Sequence, residues 1–118
     1  MRLDRARQIA VEYEDGESVT LHARRVGWSY GVEWAEQWAD AEDDPRARID
    51  LCVSALIDHI TAIDDVEDDG GKVEWPDDDE AARELIESLF TPSQLVEVAT
   101  HVVYEDSAGK SLRSVATV

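Results

Sequence analysis

The stretch from Asp44 to Ile63 constrains the fold more than any other part of the chain. Ile49, Cys52, Val53, Leu56, Ile60 and Ile63 recur at helical spacing and form one apolar stripe, which Leu51 and Ile57 widen. Asp44 stands where a side-chain oxygen can accept from the first free N–H groups of a helix. Pro45 takes the first helical position, where its missing N–H is harmless. The spacing predicts a helix over 45–63. A helix this apolar has to be covered, and the other elements read as its cover.

Ahead of it, Ile9, Val11 and Tyr13 alternate with polar neighbours, Asp15-Gly16 signals a turn, and Val19, Leu21 and Ala23 alternate again. This is the pattern of a β-hairpin over 7–26. A lone hairpin is marginal in water, so its apolar face should lie on the helices. A second helix is expected over about 29–40, with Ser29 as its N-cap, Val32, Ala35 and Ala39 as one stripe and Trp34 and Trp38 beside it. Trp28, Trp34 and Trp38 fall within this short span. They admit two readings: core and boundary packing, or an exposed aromatic patch that binds a partner, a role for which tryptophan is enriched.

Further on, Asp69-Gly70-Gly71 reads as a tight turn, with Val66 or Val73–Trp75 as the only candidates for a third strand. Asp77 or Asp78 is placed to cap a helix over 78–89 whose Ala81, Ala82, Leu85, Ile86 and Leu89 face inward. Thr91-Pro92-Ser93-Gln94 has the form of a capping box opening a last helix over 92–105. Residues 107–118 turn small and polar and read as a flexible tail. The expectation is α+β and helix-dominated: an N-terminal β-hairpin followed by a bundle of about four α-helices, in a single compact domain over 1–106.

Charge narrows the partners. The formal net charge is −17. Residues 1–25 are neutral, 26–62 carry −6, 63–90 carry −10 and 91–118 carry −1. Such a field disfavours nucleic acid and anionic membrane. The one cysteine, Cys52, lies within the helical stripe and fits a reducing, cytoplasmic setting. The N-terminal residues do not have the form of a signal peptide, and no stretch has the length of a membrane span.

Catalytic and metal-binding patterns are not evident. His22, His59 and His101 each stand alone in their elements, and a surface position is the default for His59. The acidic turn fails as a calcium loop. Counted from Asp65, its twelfth place, which needs a bidentate glutamate, is Pro76. No phosphate-cradling loop or serine elbow occurs. The expectation is therefore no enzyme, no cofactor and no metal.

The order of elements resembles the tail assembly chaperones of long-tailed bacteriophages. The matching pieces are Val11 to Leu21, Leu56 to Asp64, Asp69-Gly70-Gly71-Lys72-Val73, Asp78 to Val103, and Gly109-Lys110-Ser111-Leu112. The resemblance implies a non-enzymatic chaperone of the host cytoplasm that coats and solubilises the helical tape-measure protein and helps recruit tail-tube subunits. A longer frameshifted form commonly accompanies the short product. Trp28, Trp34 and Trp38 are the expected partner-binding residues, with Val19 and Leu21 as a second candidate for self-association. Two other classes fit the residues: an acidic DNA mimic acting through 64–87, and a small head–tail connector protein.

Overall fold

A computed structural model describes residues 6–104 and 111–113. The hairpin forms from β1 (Ala6–Glu12) and β2 (Ser18–Arg24), antiparallel, with Ile9 opposite Leu21 and Val11 opposite Val19. These four side chains and Ala23 are buried, so the alternation selects one inward face. Gly16 takes φ +87 in the turn, where the Asp15 carboxylate accepts from Glu17 N–H at 2.9 Å.

Helix α1 (Trp28–Asp40) starts one residue earlier than expected. Its N-cap is Gly27, without a side-chain hydrogen bond, rather than Ser29. Helix α2 (Pro45–His59) opens as the sequence predicts, with the Asp44 carboxylate accepting from Ala47 N–H at 3.1 Å. Its Cys52, Val53, Ala55 and Leu56 are buried, and it packs on α1, on α3 (Asp79–Leu89) and on α4 (Pro92–Tyr104).

The predicted continuation of this helix to Ile63 is corrected. The chain leaves the helix at His59 and runs on as strand β3 (Ile60–Asp64), antiparallel to β2. Ile60 and Ile63 are both buried although three residues apart, a spacing that a regular strand would send to opposite faces. A bulge resolves this. Ala23 pairs with Ile60 and His22 with Ala62, leaving Thr61 as the extra residue. The Thr61 hydroxyl donates to His22 O at 3.2 Å and ties the bulge down.

His59 is corrected likewise. It is 6% exposed, not a surface residue. Its Nδ1 lies 2.8 Å from Ala55 O, and its ring meets Tyr30 edge-on at 4.5 Å between centroids.

Strands β4 (Glu67–Asp68) and β5 (Gly71–Lys72) close the acidic turn as a two-stranded ribbon, extended by Val73 N–H to Val66 O at 2.8 Å. The ends of the last two helices are set as the sequence predicts. The Asp78 carboxylate accepts from Ala81 N–H at 3.2 Å. Thr91 and Gln94 complete a reciprocal capping box, at 2.8 Å and 3.3 Å. Truncating either N-cap aspartate, Asp44→Ala or Asp78→Ala, is expected to lower stability by about 1 kcal/mol, read as a shift of the urea midpoint at constant slope.

The tail expected over 107–118 lies outside the described residues except for Ser111–Arg113. Those three form strand β6, parallel to β1 at Ala10–Glu12. Among the described residues the main sheet therefore has four strands in the order β3-β2-β1-β6. Its hairpin centre meets one hydrophobic core shared with α2, α3 and α4. β1 and the residue that follows it also hold two helix ends. The Arg7 guanidinium donates to Val102 O near the C-terminus of α4, where a cation is favoured, and the Tyr13 hydroxyl donates to Leu89 O at 3.0 Å at the end of α3.

Candidate functional site

Around the axis of α1, two rows compete for the core. Tyr30, Trp34 and Trp38 recur every four residues. Trp28, Val32, Ala35 and Ala39 form a second row at 0, +4, +7 and +11. The sequence shows both rows and leaves open whether the tryptophans pack in the core or face a partner. The structure puts the ring row inward and the other row outward. Trp34 is 4% exposed, and Tyr30 and Trp38 are half-buried, whereas Ala35 and Ala39 are exposed, Val32 is 42% exposed and Trp28 is 87% exposed. The reason is payload. An aromatic ring removes far more apolar surface from water than an alanine does, so the helix turns toward the rings.

The inward rings are tightly committed. Trp34 Nε1 donates to Leu51 O at 3.2 Å. Its ring stacks on Trp38 at 5.3 Å and meets Tyr104 edge-on at 5.7 Å. The Arg48 guanidinium covers Trp38 at 4.4 Å from the ring centroid while donating twice to Trp38 O, at 3.2 Å and 3.0 Å. Trp34 and Trp38 thus hold α1 on α2. Of the three tryptophans predicted to meet a partner, only Trp28 is free of such packing in its exposure. Val19 and Leu21 are corrected outright as a surface for self-association. They are 1% and 0% exposed, opposite Val11 and Ile9 in the core.

The outward row has distinct borders. Glu33, Glu36 and Asp40 are exposed and follow it around the helix on one side. On the other side the end of α4 approaches. A Cβ added at Gly31 would sit 4.0 Å from a methyl carbon of Val103, and the neighbouring Tyr104 is 53% exposed. The result is an apolar ridge between a row of carboxylates and an aromatic edge.

A cleft of about 460 Å³ lies between α1 and α2, over Trp34 and Leu51. It is lined by Glu33, Asp50 and Asp58, and the last two are engaged within the fold. Asp58 accepts from the Tyr30 hydroxyl at 2.9 Å, and Asp50 accepts from Arg83 Nη2 at 2.7 Å. Burial, then the hydrogen bond and charge of Asp58, push the Tyr30 phenol above its ordinary range.

Elsewhere the titratable groups are structural in geometry. Burial pushes the Cys52 thiol up to about 11, so it stays protonated and non-nucleophilic at neutral pH. Among the described residues, no group of three or more His, Cys, Asp or Glu side chains is placed to hold a metal ion. No described helix is long and apolar enough to cross a membrane.

His22 Nε2 lies 2.6 Å from Asp64 on the polar face of the sheet. The hydrogen bond from His22, helped by the charges of His22 and Lys72, holds the Asp64 carboxyl below the usual carboxylate range. A lowered folded-state value means stabilisation that is present above the ordinary carboxylate range and lost as pH falls through the lowered value. The drop in melting temperature as pH falls through and below the ordinary carboxylate range should therefore be smaller in His22→Ala than in the parent chain.

Compared with protein-family models, with curated proteins and with solved structures, the chain matches none of them.

Proposed function

We propose that this protein is a non-catalytic assembly chaperone of the bacteriophage-tail type, which holds a long helical tape-measure protein in solution and helps bring tail-tube subunits to it. The observation that carries the reading is the outward row of α1. Trp28, Val32, Ala35 and Ala39 are left facing water on a strongly acidic body. Apolar surface that a fold leaves exposed next to charged borders marks a binding site for another chain. The acidic charge keeps the chaperone itself soluble while it covers apolar surface on its client. Many copies along one filament would add weak contacts into a lasting complex.

The order of elements is in keeping with the same reading: a hairpin, two helices, an acidic glycine-bearing turn and two capped helices, with strand β3 set between the second helix and the turn. The test is affinity purification of the chain from cells expressing its native gene neighbourhood, with the co-purified proteins identified by mass spectrometry. Recovery of a very long helical protein or a tail-tube subunit, retained in high salt, is the expected result. Recovery of a basic nucleic-acid-binding enzyme, lost as salt rises, would favour the DNA-mimic alternative and defeat the chaperone reading.

A further inference from the structure

We propose that the outward row of α1 is a docking ridge for one kind of partner segment: an amphipathic helix whose apolar row is flanked by lysine and arginine. For the identity of the protein that carries this helix the inference rests on the chaperone reading. The chemistry of the ridge does not.

Geometry sets the partner's shape. Positions 28, 32, 35 and 39 lie along one line of a continuous helix, about 16 Å long at the helical rise per residue. That length matches three turns of a facing helix. Ala35 and Ala39 offer no bulk, so a second helix can approach closely there, while Trp28 stands up at one end as an anchor.

Charge sets the partner's sign. The carboxylates of Glu33, Glu36 and Asp40 run beside the ridge, and residues 28–40 include no lysine or arginine. A partner helix with basic residues beside its apolar row places them against these acids. The same charges argue against a second copy of this chain. An antiparallel α1-to-α1 contact would set carboxylates against carboxylates, and either orientation brings together two bodies that each carry −17. Nucleic acid and anionic membrane are repelled for the same reason.

Calorimetric titration of the full chain with designed helical peptides of equal length and helicity tests this. One peptide carries leucine at 0, +4, +7 and +11 with lysine and arginine flanks. A second keeps the leucines and has glutamate flanks. A third keeps the basic flanks and has serine for leucine. The first should bind, the second at least about tenfold more weakly, and the third not measurably. Trp28→Ala should weaken the first by at least about 30-fold, as loss of an anchoring tryptophan does, with no change in the melting curve. The double variant Glu36→Lys/Asp40→Lys should invert the preference between the first two peptides, and Glu84→Lys on α3 should leave it intact.

Equal binding of the first two peptides, or an unchanged affinity in Trp28→Ala, would overturn the proposal. So would a dimer of the protein that Trp28→Ala dissolves. The two readings fail separately. If a tail protein co-purifies undiminished with Trp28→Ala, the ridge is not its site although the chaperone reading stands. If the basic peptide binds as described but no tail protein co-purifies, the ridge stands and the chaperone reading falls.

Discussion

Leu56→Ala should destabilise the protein by about 3–5 kcal/mol, the range for a leucine removed from a fully packed site. Leu56 is 0% exposed. It sits on α2, the helix that packs on α1, α3 and α4 and shares one core with the sheet. Truncation removes apolar area from water burial and leaves a cavity that neighbours on several elements would have to collapse into. In a chain of this size such a loss corresponds to a fall of about 10–20 °C in melting temperature. Differential scanning calorimetry checks it. A fall of only a few degrees would mean that α2 is not the centre of the core.

The second large effect separates two tryptophans on one helix. Trp34→Ala should lower stability by about 3–5 kcal/mol. The change removes a 4% exposed ring, its stack on Trp38 and its hydrogen bond to Leu51 O, and so loosens α1 from α2. Trp28→Ala should change stability by less than about 0.5 kcal/mol, because the side chain is 87% exposed. Urea unfolding followed by far-ultraviolet circular dichroism distinguishes them. Equal losses in the two variants would contradict the orientation of α1, and with it the location of the binding ridge.

The parts of this fold that were legible in the sequence are those with local chemistry. Asp15-Gly16 marks the hairpin turn, Asp44-Pro45 and Asp78 mark helix starts, and Thr91 with Gln94 marks another. Each depends on atoms a few residues apart, so a short stretch of sequence carries the whole signal. The break between α2 and β3 is different. Ile60 and Ile63 have helical spacing, and only the bulge against His22 and Ala23, residues some forty positions away, lets a strand bury both. β6 has no local mark, because its partner β1 lies at the other end of the chain.

The site was half legible for a similar reason. The cluster Trp28, Trp34 and Trp38 points to α1, but two apolar rows on one helix cannot both face inward. Which row wins depends on the receiving surface, formed here by Leu51, Arg48 and Tyr104. Val19 and Leu21 illustrate the converse. Alternation identifies an apolar face, and in a small domain that face is first claimed by its own helices.

The most direct test of the central claim, that the outward face of α1 is where this protein meets its partner, is site-specific photo-cross-linking in cells that express the native gene neighbourhood. A benzophenone side chain replaces Trp28 in one experiment and Gln8, exposed on the opposite, polar face of the sheet, in another. The account predicts an adduct from position 28 to a helical segment with an apolar row and basic flanks, and no such adduct from position 8. An adduct from position 8 with none from position 28 would contradict it and move the interaction surface to the sheet.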